Sequence, residues 1–313
     1  MRIGVMIGRE AQSVSQPPEV KPPPTTLEEL IREAQQFEAQ GFAMAWLPHI
    51  FEFDAIGAMT AIGRETQQIE LGTAVVPTFP RHPVALAQQA LTAQAATRGR
   101  FTLGIGLSHR LVIEDMLGLP YAKLTRHMQE YLAVLTPLLE GQPAAFQGEF
   151  FRVNTALRIP VASRTPLLLA ALGPMMLGLA GRFADGTVTW MTGRRTLETH
   201  IRPRIRRAAQ EAGRAEPRVV AGFPVAITNR PNQAREVAGE TFAIYGTLPA
   251  YRAMLDREGV AGPADIALVG EAAAVEAELR QLADVGVTDL LAAPFECDAG
   301  AMKRTIDFLI SQS

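Results

Sequence analysis

Three histidines, His49, His82 and His109, fall just beyond three successive apolar runs at residues 42–47, 69–76 and 101–105. Imidazole is the side chain whose charge changes near neutral pH, so it can hydrogen-bond a ligand or move a proton there. No two of the three share helical or strand spacing, and no acid accompanies all of them, so the pattern does not make a metal site. Each imidazole taken alone could equally be structural or simply exposed. A second feature is Ala170-Ala171-Leu172-Gly173-Pro174. Small residues let an anion approach the backbone, and Pro at the first helical position leaves the following N–H groups pointing outward. An ordinary strand-to-helix turn has the same composition. Gly8, Gly104 and Gly106 remove side chains where a flat ring could lie, or where strands pack closely. No Ser-His-Asp order, cysteine nucleophile motif or Walker-type loop is evident, so covalent catalysis has no support.

These candidates all sit at the ends of strands. Residues 2–8, 42–47, 69–76, 101–105, 167–170, 186–190, 219–228 and 288–292 are short apolar runs, the pattern of strands buried on both faces. Helices are predicted over 26–40, 54–64, 84–96, 121–140, 174–184, 195–212 and 271–285, with further helices reaching 258 and a closing one over 299–311. Thr26 and Glu29 form a capping box for the first of these, and Gly41 stops it. The prolines of 12–24 predict a loop, and those of 77–83 forbid a regular element. Residues 141–160 read as an insertion with one small hairpin, and 265–269 as a short extended piece. Eight strands, each followed by a helix, predict a single (β/α)₈ TIM barrel spanning 1–313, with insertions at the C-terminal face of the strands. A doubly wound open sheet would need Gly-x-Gly-x-x-Gly, but after Gly104 and Gly106 the third position is His109. In a barrel the site lies at the strand C-termini, which adds Glu52, Thr78, Arg81, Ser108, Arg110, Trp190, Thr192 and Thr228 to the candidates.

Bulk composition narrows the classes. The 313 residues are 48% hydrophobic and 20% charged with a net charge of −2, which supplies a core and no basic surface for nucleic acid. A lone cysteine, Cys297, rules out an intramolecular disulfide and fits a reducing compartment. No signal peptide and no apolar run of about 20 residues is visible, so a cytoplasmic protein without membrane contact is expected. The arginines of 194–207 read as a solvated face, with contact to an anionic cofactor tail as the alternative.

Several segments together resemble a known family. They are Gly41-Phe42 with Trp46, Leu71-Gly72-Thr73-Ala74-Val75, Arg81-His82-Pro83, and Gly99-Arg100-Phe101-Thr102-Leu103-Gly104-Ile105-Gly106. They continue with Ala170–Pro174, Ala184-Asp185-Gly186 and Gly286-Val287-Thr288-Asp289. In this order they resemble the luciferase-like (bacterial luciferase) superfamily, and within it the branch that uses the deazaflavin coenzyme F420. The resemblance implies a ring system across the C-terminal mouth of the barrel. It implies a non-prolyl cis peptide between Ala74 and Val75, in a bulge of the third strand that backs the ring. It implies a phosphate segment at Ala170, Ala171, Leu172 and Gly173, acting through backbone N–H groups. Further cofactor contacts carry over to Gly8, His49, Thr73, Gly104, Gly106 and Ser108, and acid–base roles to His49 and His109. Deazaflavin members often show Asp-His after the strand-2 tryptophan, whereas here the exit is Pro48-His49 and the acid is missing.

The implied activity is F420-dependent hydride transfer to or from a small organic substrate, at a CH–OH, CH–NH or C=C group. An FMN-dependent monooxygenase using reduced flavin and O₂, and a non-catalytic flavin- or deazaflavin-binding protein, are the alternatives on the same barrel. A homodimer, and a separate enzyme that reduces the cofactor, complete the expectation.

Overall fold

Each apolar run can be buried on both faces only if one face looks into a barrel and the other meets a helix. The computed structural model, which describes residues 1–9, 25–161 and 163–312, has this arrangement. Its strands are β1 (Arg2–Met6), β2 (Met44–Leu47), β3 (Glu70–Thr73), β4 (Val76–Pro77), β5 (Phe101–Gly106), β6 (Ala144–Gln147), β7 (Arg152–Thr155) and β8 (Leu167–Ala170). They continue as β9 (Gly186–Trp190), β10 (Arg218–Ile227), β11 (Leu268–Gly270) and β12 (Asp289–Pro294). With β3 and β4 counted as one broken stave, eight parallel staves run β1, β2, β3/β4, β5, β8, β9, β10, β12 and close back onto β1. The helices outside are α1 (Leu27–Ala39), α2 (Ala55–Glu65), α3 (Pro83–Ala96), α4 (Leu124–Leu139), α5 (Pro174–Phe183) and α6 (Arg202–Glu211). The series ends with α7 (Pro231–Thr241), α8 (Pro249–Glu258), α9 (Ala272–Asp284) and α10 (Ala301–Ser311). The predicted barrel is therefore the fold. The proline-rich stretch 12–24 lies outside the described residues.

The core divides in two. Met6, Met44, Trp46, Leu168, Val188, Val220, Leu291 and Ala293 fill the barrel, while a larger layer joins the outer strand faces to the helices. Room for the interior comes from small residues opposite large ones. A Cβ on Gly72 would lie 2.5 Å from Trp46 Cε2, so Gly72 makes the space that the indole takes. The N-terminal end of the barrel is closed by charge: Arg2 and Arg218 both meet Glu70 and the buried Asp289, and Thr102 Oγ1 donates to Glu70 at 3.0 Å. The Arg218 guanidinium lies 5.9 Å over the Trp46 ring. These charges lie at the end opposite the C-terminal mouth.

Several boundaries differ from the sequence reading. The third stave breaks between Thr73 and Val76, at a cis peptide joining Ala74 to Val75. Pro77 nevertheless belongs to β4, against the expectation that 77–83 holds no regular element. Its missing N–H does no harm there, because the amide that reaches the Gly106 carbonyl is that of Thr78, at 3.0 Å. The loop after β5 contains a π-helical turn, Leu111–Met116, and the helix expected from 121 begins at Leu124. The helix expected over 195–212 is interrupted by a second π turn, Leu197–Ile201, before α6. Between 141 and 160, β6 and β7 form an antiparallel hairpin. Its turn sits on Glu130, whose buried carboxylate accepts from the amides of Glu149 (3.0 Å), Phe150 (2.7 Å) and Phe151 (3.3 Å), and from Arg126 Nε at 2.6 Å.

Candidate active site

The β2 exit delivers His49 to the rim. Asp54 begins α2 by accepting from the Gly57 amide at 2.7 Å, which leaves the Ala55 amide free to donate to His49 Nδ1 at 3.1 Å. From the β4 exit, Arg81 reaches over. Its Nη2 lies 2.8 Å from Asp54 Oδ2 and 3.1 Å from His49 Nε2. Both ring nitrogens therefore face N–H donors. A guanidinium only donates and a neutral imidazole accepts at one nitrogen, so one of these two contacts is a hydrogen bond and the other a close approach. Burial and the Arg81 charge, opposed by Asp54, push the His49 pKa down to about 4. This histidine is neutral at physiological pH. Asp54 and Arg81 supply, from other positions, a charge pair where the missing acid before His49 left none.

The β3–β5 seam forms the next wall. Thr73 Oγ1 donates to the Gly104 carbonyl at 2.9 Å and accepts from the Gly104 amide at 3.0 Å. The hydroxyl of Thr73 is thus committed to the chain. Gly104 is a position of close strand packing. A Cβ there would stand 2.0 Å from the Thr73 carbonyl oxygen, so its space is filled by the neighbouring strand and is not open to a ring. Gly106 lies against the bulge as well, for its Cβ would meet Val75 Cγ2 at 2.8 Å and Ala170 Cβ at 3.2 Å. Val75, Gly106 and Ala170 consequently adjoin at the mouth. Gly8 is a conformational position: φ is +77°, and its amide donates to Glu33 Oε2 at 3.0 Å.

After β5, Ser108 takes a left-handed φ of +63°, uncommon for a residue with a side chain, and its carbonyl accepts from the Tyr121 hydroxyl at 2.8 Å. This turn carries His109, whose ring lies 5.6 Å from that of Tyr251; burial lowers its pKa. Tyr251 meets Tyr245 edge-on at 5.1 Å, and Tyr245 meets Trp190 at 5.9 Å. Sequence reasoning named Trp190 and His109 but missed Tyr245, which arrives from the connection between α7 and α8, and Tyr251, from the first turn of α8. His49 and His109 each have their own partners, at the β2 and β5 exits. His82 stands apart: it is exposed, caps α3 through the Val84 amide at 3.3 Å, and packs edge-on against Phe151.

At the β8 exit, Ala170 and Ala171 lead through Leu172 to Gly173, which begins α5 with no side-chain cap. Pro174 has no N–H, so the amides of Met175 and Met176 lie in a first turn without intrahelical acceptors. Nothing lies within 4 Å of the position a Gly173 Cβ would take, so the approach is open. The arginines of 194–207 divide as a solvated face: Arg206 and Arg207 pair with Glu216 and Glu211, and Arg204 donates to the His200 carbonyl. Among the described residues, no group of three His, Cys, Asp or Glu side chains could hold a metal ion, and no helix is long and apolar enough to cross a membrane.

Comparisons with known proteins bear on the family and the fold. A family model described as luciferase-like monooxygenase matches residues 1–289. The 5,10-methylenetetrahydromethanopterin reductase of Methanopyrus kandleri is 29% identical over 213 residues, covering 61% of this chain and 59% of that one. The F420-dependent glucose-6-phosphate dehydrogenase of Nakamurella multipartita is 33% identical over 160 residues, covering 49% and 47%. Among solved structures, the coenzyme F420-dependent tetrahydromethanopterin reductase from Methanopyrus kandleri superposes with a TM-score of 0.79 at 20% identity, covering 99% of this chain and 97% of that one. That likeness supports the barrel.

Proposed function

The chain belongs to the luciferase-like monooxygenase family, and on that footing we propose that it is an oxidoreductase that binds coenzyme F420 and transfers a hydride between it and a small organic substrate. The observation that carries the reading is the open, uncapped start of α5 at Gly173, one strand away from the Val75–Gly106 wall. A cofactor with an anionic tail and a flat ring needs this pairing of amides and apolar wall. The relatives named above, a methylenetetrahydromethanopterin reductase and an F420-dependent glucose-6-phosphate dehydrogenase, support it further.

When bound, a deazaflavin supplies hydride chemistry and does not activate oxygen as reduced flavin does. The chain's own part is positioning, exclusion of water and handling of one proton. Backbone N–H groups of Ala171, Leu172 and Gly173 hold the phosphate. Ala74 and Val75 back the ring, with Gly106 and Ser108 beside it. His49, neutral and held beside the Arg81 guanidinium, is the group that exchanges a proton with a substrate oxygen or nitrogen. Arg81 adds positive charge where negative charge would develop on that atom. His109, inside the Trp190–Tyr245–Tyr251 wall, closes the opposite side. The reading extends to a cytoplasmic homodimer whose cofactor is recycled by a separate enzyme.

An FMN-dependent monooxygenase is the second reading, favoured by the description of the matching family. Anaerobic turnover separates the two. Reduced F420 should be oxidised by some member of a panel of carbonyls, imines and enoates, with no oxygen present. Oxygen uptake supported by reduced FMN, with no F420 turnover across the panel, would replace the first reading with the second.

A further inference from the structure

His200 belongs to a segment that the sequence presents as an arginine-rich helix, yet its ring closes on the β8 exit. It sits in the π turn Leu197–Ile201, is only 2% exposed, and places Nε2 2.7 Å from the carbonyl oxygen of Leu172. A carbonyl can only accept, so Nε2 carries the proton and Nδ1 is a bare lone pair. Nδ1 is buried and has no partner. A buried imidazole with one nitrogen unsatisfied costs stability, so the bond at the other nitrogen must serve a purpose that a leucine could not.

The purpose follows from peptide geometry. The C=O of Leu172 and the N–H of Gly173 belong to one planar trans peptide and point in opposite directions. A hydrogen bond that holds the Leu172 carbonyl toward His200 therefore holds the Gly173 amide away from it. The Gly173 amide is the first of those at the uncapped start of α5, where the space beyond is open. We propose that His200 is a positioning residue that fixes the Leu172–Gly173 peptide so that its N–H meets the phosphate of the cofactor. The inference rests on the cofactor reading above. It assigns to a side chain without ligand contact the difference between a turn that tolerates either peptide orientation and one preset for an anion.

The test is the affinity of wild type, H200Q, H200N and H200F for F420 and for its dephosphorylated chromophore, with FMN and riboflavin run in parallel. Gln carries an amide N–H to about the place of Nε2. Asn stops near Nδ1, and Phe has no donor. Thermal melts accompany the titrations, and the H200Q–H200N pair decides the matter should H200F not fold. Wild type and H200Q are expected to bind the phosphorylated form more tightly than its dephosphorylated partner. H200N and H200F should lose about tenfold toward the phosphorylated form, the worth of one hydrogen bond to an anion, with the other affinity unchanged. An unchanged phosphate preference in H200N and H200F, or equal losses toward both forms, overturns the role of His200 alone. A wild-type protein that binds neither pair overturns the cofactor reading and this inference with it.

Discussion

Thr73 and Gly104 exchange two hydrogen bonds across the β3–β5 seam, one hydroxyl serving both the carbonyl and the amide of the glycine at 2.9 and 3.0 Å. The regular ladder between these strands covers only Leu71 with Phe101 and Gly72 with Thr102 before the stave breaks. Beyond that point a side chain takes over the work of the missing backbone partner. The seam resumes at Val76 with Ile105. The bulge that walls the mouth is thereby held from both ends.

Replacing Thr73 with Val keeps the shape and removes both bonds, leaving a buried N–H and C=O on Gly104 unsatisfied. The expected loss is about 2–4 kcal/mol, read as a lower urea midpoint. Thr73→Ser, which keeps the hydroxyl, should stay within about 1 kcal/mol of wild type. Equal losses in both variants would contradict the bridging role.

Glu130 gives a stability prediction with a pH signature. Burial alone would raise its pKa, but the amides of Glu149 and Phe150, the Arg126 guanidinium and the Phe151 amide outweigh it and hold the carboxyl below its usual range. A depressed folded-state pKa contributes stability above the unfolded value of about 4.3, and loses it as pH falls through the folded value. Glu130→Gln sets an NH₂ group against backbone donors and should cost about 1–3 kcal/mol at pH 7. The gap to wild type should shrink on acidification below about pH 4.3. A gap independent of pH in unfolding curves would contradict the account.

His49 should stay neutral from near pH 5 upward, since its pKa lies at about 4. Because the folded pKa is depressed below the unfolded one, the unfolded chain takes up the proton first, and the group costs stability as pH falls between the two. An NMR titration of the ring should show no midpoint near 6.5. Arg81→Gln should raise the midpoint by removing a like charge, and Asp54→Asn should lower it. An ordinary histidine titration in the wild type would remove the neutral His49 from the mechanism.

Fold and site were not equally legible in the sequence. The staves could be read because each is a continuous apolar run, and Thr26 and Gly41 bound α1 as their chemistry requires. The break between Thr73 and Val76 has no such signature: residues 69–76 read as one apolar run, and only the family resemblance placed a bulge at Ala74 and Val75. The glycines divided by environment. Gly104 proved to be close packing and Gly8 a left-handed turn, while Gly173 is open. His200 could not be found at all from its neighbours, since its partner, Leu172, is 28 residues away and offers a carbonyl that every residue has. Tyr245 and Tyr251 were hidden in the same way, because their meeting with Trp190 and His109 is tertiary. Arg81 and Asp54 were visible as residues, but their joint hold on His49 depended on the turn after β4.

The central claim is the identity of the cofactor, and the most direct measurement is a side-by-side titration of the purified protein with F420 and with FMN, followed by ring fluorescence. The account predicts saturable binding of F420, tighter than that of FMN. Tight FMN binding with no uptake of F420 would contradict it.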